Sequence, residues 1–197
     1  MSSEFENNRG KARPVSNGVR GIVQNGDPVL RARAREIPIS DIASKKIQKL
    51  IADMKALLSK EEYGVAIAAP QVGESVRLFV VSGHALAKRE AKYGDTDENE
   101  SKTLDEDAVY INPVMTKMSR GKKKKHEGCL SVRGKWGMVP RAEKATLKAY
   151  DEHGKKFERG ASGLLAHIFQ HEMDHLDGIL YIDKATELYD DKPENGK

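Results

Sequence analysis

Apolar residues at Ile47, Leu50, Ile51, Met54, Leu57 and Leu58 recur at three- and four-residue steps, the period of one helix face. Ser40 or Asp41 stands where a capping side chain is wanted, so an amphipathic helix is expected over 41–60. The next segment, GVAIAAPQVG at 64–73, is small and apolar and closes on Pro70 and Gly73, which predicts a short strand running into a tight loop. VRLFVVS at 76–82 reads as a buried strand, and AVYINPVMTKM at 108–118 as two short strands around Asn112 and Pro113. Between them, 83–107 carries the acidic stretch DTDENE and Asp105 and Asp107, the profile of an exposed insertion.

Further on, KATLKAY at 144–150 alternates, DEHGKK supplies a turn and FERGA follows, which predicts an antiparallel hairpin. The last strong element starts near Ser162 as a cap. Leu164, Leu165, Ile168, Phe169 and Leu176 make it apolar over much of its girth, with Gly178 as terminator, so a buried helix is expected. Strands first and a buried helix late, without regular alternation, argue for an α+β fold of mainly antiparallel sheets packed around that C-terminal helix. Length favours one domain over 21–183, flanked by a flexible extension at 1–20 and a polar tail at 184–197.

Composition adds exclusions. No apolar run approaches the length of a membrane span; LFVV at 78–81 is typical of the longest, so no membrane association is expected. The first 20 residues lack the apolar stretch of a secretory signal, and Glu4 and Glu6 weigh against a transit peptide while Arg9, Lys11, Arg13 and Arg20 favour one. A net charge of +4 comes partly from Lys122, Lys123, Lys124 and Lys125, a run that reads as a solvated hairpin or loop. No aromatic residues interleave it to stack on bases, and specific nucleic-acid binding is not expected. The single cysteine, Cys129, rules out an intrachain disulfide and suits a reducing compartment.

The chemistry concentrates in QHEMDH at 170–175. His171 and His175 stand four apart and project from one helix face, with Glu172 beside them: two metal-ligand imidazoles and a carboxylate able to serve a water. A helix this apolar buries such groups at a cost, which a metal at that face reduces. A catalytic site of this kind takes three protein ligands and keeps one position open. Asp174 faces another direction and suits a bracing role. Glu187, sixteen residues after His171, is the ligand a zinc endopeptidase would use. Cys129, in HEGCLSV at 126–132, is the stronger candidate, since a thiolate from a strand end with two helical imidazoles accounts for the only cysteine and both histidines.

Three segments together resemble the peptide deformylase family: Gly64-Val65-Ala66-Ile67-Ala68-Ala69-Pro70-Gln71, then Glu127-Gly128-Cys129-Leu130-Ser131, then His171-Glu172-Met173-Asp174-His175. The likeness runs from about Ile22 to about Asp183. It implies hydrolytic removal of the formyl group from N-formylmethionyl nascent polypeptides, releasing formate. One divalent ion, Fe2+ first with Zn2+, Ni2+ or Co2+ as alternatives, is expected on Cys129, His171 and His175, with Glu172 as general base. The resemblance assigns the developing negative charge to the Gln71 side-chain amide and the Leu130 N–H. It also suggests Leu164, Ile168 and Val65 as walls for the methionine, and the backbone of Gly64, Val65 and Ala66 as the strand to which the peptide adds. Two departures stand out: Ala66 replaces the second glycine of the first motif, and Arg133 stands where many relatives carry proline. The expected partners are formylmethionyl peptides and, in passing, the ribosome. The chain is expected to be monomeric, in a bacterial cytoplasm or an organelle. A zinc endopeptidase using Glu187, and a non-catalytic metal- or RNA-binding module, remain the alternatives.

Overall fold

The structure, a computed structural model, describes residues 21–93 and 106–190. The helices and strands in chain order are α1 (Lys45–Leu58), β1 (Ala66–Ala68), β2 (Leu78–Val81), α2 (Gly83–Tyr93), β3 (Ala108–Met118), β4 (Lys122–Cys129), β5 (Val132–Ala142), β6 (Lys144–Tyr150), β7 (Lys156–Ser162), α3 (Gly163–Leu176) and β8 (Glu187–Asp190). Every strand pairing within the two sheets is antiparallel. The larger sheet has the order β1-β2-β3-β6-β7 and the smaller β4-β5-β8.

Period-two alternation explains why LFVV is buried throughout. Phe79 and Val81 join Ala66, Ala68, Tyr110 and Leu147 against α3, through Leu165, Ala166, Ile168 and Phe169. Leu78 and Val80 point to the other face, where Ile67, Val109 and Ile111 meet Leu50, Ile51, Met54 and Leu58 of α1. The large sheet is thus covered on both sides, with α3 lying across it in contact with β1, β6 and β7. A third cluster of Leu30, Val132, Val139, Leu180 and Tyr181 fills the space under the small sheet.

Several expectations shift. The cap of α1 is Ser44, whose side chain accepts from the Ile47 N–H, so the helix starts later than 41. The segment 108–118 is one strand with a register shift between Ile111 and Val114, at Asn112, whose φ is 49°. Its side-chain amide bonds both the N–H and the carbonyl of Ile37, which stabilises that left-handed turn locally. The expected exposed insertion begins with a helix, α2, that buries Leu86 in the core; alanines, lysines and a leucine are strong helix formers. Residues 94–105 of that segment, like 1–20 and the end of the tail, lie outside the described residues. The lysine run lies on β4 of a β-hairpin, facing β5. The tail segment Glu187–Asp190 folds back onto β5, with Tyr189 opposite Trp136; its Leu188-Tyr189 pair was too short a signal to separate from polar surroundings. Among the described residues no helix is long and apolar enough to cross a membrane.

Candidate active site and metal centre

Cys129 ends β4, while His171 and His175 lie one turn apart on α3. Their sulfur and ring nitrogens all fall within 4.8 Å of one another, the one such ligand cluster among the described residues. Cys129 Sγ lies 3.2 Å from His175 Nε2, and the two imidazole rings are 4.9 Å apart. Glu172, 3 % exposed, sits between them in sequence and has one carboxylate oxygen, Oε2, buried with no hydrogen-bond partner. His175 Nδ1 is likewise buried without a partner.

Burial opposes charge on all these groups, and their neighbours decide the outcome. On His171 the Cys129 sulfur and the Glu127 carboxylate outweigh burial and hold the pKa well above its usual value. On His175 burial and the charge of His171 act together and hold it well below. Burial pushes the Glu172 carboxyl up to about 7, against the pull of His171. A sulfur and two imidazole donors converging beside an unsatisfied carboxylate oxygen fit a divalent cation with an open position.

The geometry disposes of the competing ligand. Glu187 is exposed on β8, opposite Met138, and its carboxylate lies 3.4 Å from Lys124 Nζ. It is not part of the ligand cluster. Asp174 turns instead to Arg141 Nη1 and Lys184 Nζ, each at 2.6 Å.

Sequence reasoning gave Asp174 a bracing role but missed Glu127 and Arg141, which connect it to His171. Glu127 Oε2 accepts from His171 Nδ1 at 2.9 Å, which leaves His171 Nε2 for a cation and sets the ring's orientation. Glu127 is in turn clasped by Arg141, through Nε at 2.6 Å and Nη2 at 2.8 Å. A chain therefore runs from His171 through Glu127, Arg141 and Asp174 to Lys184. The signal was present: strand alternation puts Arg141 on the inward face with Val139, and a buried arginine needs carboxylates.

Gln71 lies in the single turn of 3-10 helix after β1, 2 % exposed. Its Oε1 accepts from the Ala68 N–H at 2.8 Å, which fixes the amide's orientation. Nε2 therefore faces the site, 3.4 Å from Cys129 Sγ and 3.3 Å from Ser131 Oγ. Leu130 follows Cys129 in the turn joining β4 to β5, its carbonyl held by Gln24 Nε2 at 3.0 Å. Gly128 is required by close approach: a Cβ there would stand 2.9 Å from the Trp136 ring.

One cleft of about 550 Å³ collects these residues. Gly64, Val65, Ala66, Gln71, Cys129, Leu130, Leu164, Ile168, His171 and Glu172 all line it, and His175 lies beneath. Ala66 pairs with Val81 as an ordinary strand residue and carries no positive φ, so the departure there adds a methyl to the cleft wall without straining the backbone. Among the described residues β1 is the outer strand of its sheet, with an edge to which another strand can add.

An HExxH helix completed by a cysteine from a strand end is a donor set suited to a hydrolytic metal centre. The polypeptide deformylase family model matches residues 19–191. The chain belongs to that family of hydrolases. It is 42 % identical over 168 residues to peptide deformylase 1A of chloroplasts and mitochondria from Arabidopsis thaliana, covering 84 % of this chain and 61 % of that protein. Identity is also 42 % to the peptide deformylase of Halothermothrix orenii, covering 83 % and 91 %. A crystal structure of the Acinetobacter baumannii class I type b enzyme bound to Met-Ala-Ser superposes with a TM-score of 0.70 at 30 % identity, covering 84 % and 98 %.

Proposed function

We propose that the protein is a metal-dependent deformylase that hydrolyses the N-terminal formyl group of N-formylmethionyl nascent polypeptides, releasing formate and a free amine. The observation that carries this reading is the convergence of Cys129, His171 and His175 with Glu172 and the amide of Gln71 in one cleft. Cys129, His171 and His175 would hold one divalent ion, Fe2+ in our reading, with Zn2+, Ni2+ or Co2+ as alternatives. When bound, the ion supplies Lewis acidity, which brings the pKa of water to about 7 in well-studied zinc sites.

The chain's own residues do the rest. Glu172 takes the proton of the attacking water and later delivers it to the departing amine. Gln71 Nε2, held by Ala68, and the Leu130 N–H donate to the formyl oxygen as negative charge grows there. The peptide adds to the free edge of β1 along Gly64, Val65 and Ala66, while Leu164, Ile168 and Val65 enclose the methionine side chain. Backbone pairing of this sort tolerates varied sequence after methionine. Contact with the ribosome, a monomeric state and a bacterial or organellar compartment belong to the same reading.

Anaerobic assay of the ferrous protein on formyl-Met-Ala-Ser tests it. Formate release is expected, together with loss of bound metal in Cys129→Ser. Cleavage of internal peptide bonds without formate, or full metal retention in Cys129→Ser, would overturn it in favour of an endopeptidase.

A further inference from the structure

The cleft extends past Val65, Leu164 and Ile168 to an outer end lined by charged residues. One lip is formed by residues 60–63 before β1, the other by residues 133–136 at the start of β5. Arg133 joins them: its Nη2 lies 3.2 and 3.4 Å from the two carboxylate oxygens of Glu61. The contact is unequal. The Glu61 side chain is 22 % exposed and that of Arg133 61 %, so the arginine is the partner that faces the open cleft. A single nitrogen makes both bonds, leaving Nε and Nη1 of the planar fork available.

We propose that Arg133 is a specificity-determining residue that favours acidic side chains in the residues following methionine; the inference rests on the deformylase reading above. A peptide added to β1 alternates its side chains. With methionine directed at Leu164 and Ile168, the residues after it leave between the two lips. A carboxylate there can use the free donors of Arg133 without displacing Glu61. A lysine or arginine there would have to compete for Glu61 with a guanidinium that is tethered in place. Beside Arg133 the rim carries Lys60, Glu61, Glu62 and Lys135, the last paired with Asp190 at 2.5 Å, so the bias rests on Arg133 itself.

The test compares C-terminally amidated formyl-Met-Glu-Glu, formyl-Met-Lys-Lys and formyl-Met-Ala-Ser, by formate release at low salt. An exposed charge contact of this kind predicts a kcat/KM ratio of about fivefold for the Glu over the Lys peptide, shrinking as salt screens it. The ratio should persist in Arg133→Lys, approach one in Arg133→Ala and invert in Arg133→Glu. Calorimetric binding of the products Met-Glu-Glu-amide and Met-Lys-Lys-amide should follow the same order, independently of turnover. Equal kcat/KM for the two charged peptides, or a ratio unchanged by Arg133→Ala, overturns the role of Arg133. Failure to release formate from formyl-Met-Ala-Ser overturns the deformylase reading instead, and product binding then decides on Arg133 by itself.

Discussion

Replacing Arg141 by methionine removes the link between the metal ligands and the C-terminal segment. Arg141 is 3 % exposed and makes three bonds: Nε and Nη2 to Glu127 at 2.6 and 2.8 Å, and Nη1 to Asp174 at 2.6 Å. Methionine fills much of the space but leaves two buried carboxylates short of a partner. Breaking one side of a buried ion pair costs about 3–5 kcal/mol. His171 still bonds Glu127 and Lys184 still bonds Asp174, so the lower end, about 3 kcal/mol, is expected. For a chain of this size that lowers the midpoint of thermal unfolding by about 6–12 °C. Reversible urea unfolding of the metal-free protein should show the same loss as a lower midpoint at unchanged slope. Glu127, no longer clasped, should orient His171 less firmly, and metal affinity should fall by about 10- to 100-fold. Arg141→Lys keeps the charge but not the fork, and an intermediate loss is expected. A shift in midpoint under about 2 °C with unchanged metal affinity would refute the account, because it would mean the network neither stabilises the fold nor aims the ligand.

Three further predictions follow from individual groups. Burial raises the Glu127 pKa, but Arg141 and His171 more than offset it and bring the carboxyl down to about 2 from 4.5. Its contribution is therefore complete above pH 4.5 and lost as pH falls towards 2, about 3 kcal/mol in all; acid titration of Glu127→Gln should lack that component, and an unchanged profile would exclude it. Gln71→Ala should lower kcat by about a hundredfold, equivalent to ~3 kcal/mol, with metal content intact; a change confined to KM would place the amide outside the transition state. Glu172→Gln should keep the metal and lose formate release by at least about a hundredfold. In the wild type, the acid limb of kcat should fall between the ordinary 4.5 and the value of about 7 that burial produces, since a nearby cation opposes burial. A rate that stays level down to pH 4 would remove Glu172 from the base's role.

How much was legible in the sequence depended on whether a residue acts through local pattern or through distant pairing. α1 and α3 were legible because their apolar residues keep a period over ten or more positions, and the β6-β7 hairpin because the seven residues of β6 alternate and run into a turn. The shared face of His171 and His175 on α3 was legible for the same reason, since a four-residue spacing is a statement about one helix. The β4-β5 hairpin was only half legible: its lysines face solvent, and only Val139 and its neighbours declare the buried side. β8 was illegible, because four exposed residues gain their structure from pairing with β5 rather than from their own propensity. Alternation marks Arg141 as buried, but its pairing with Glu127 was missed because the 13 residues between them fold into a hairpin before the two meet.

That difference has a functional consequence. Residues that act through local pattern, His171 and His175, need only their helix to form. Those that complete the site, Cys129 and Gln71, arrive from strand ends and depend on both sheets being docked on α3. Cys129 is carried by the small sheet, whose hold on α3 runs through Glu127 and Arg141, while Gln71 is carried by the large sheet and locked by the Ala68 N–H. If the small sheet loosens, Gln71 loses its Nε2 contacts to Cys129 and Ser131 but keeps the Oε1 bond from Ala68 that fixes its amide. Loss of that sheet would separate the thiolate from the imidazoles while the methionine pocket, built from β1 and α3, stayed in place. Metal affinity should accordingly be more sensitive to damage in the Glu127-Arg141-Asp174 chain than peptide binding is, an ordering that a merely structural role for those residues does not require.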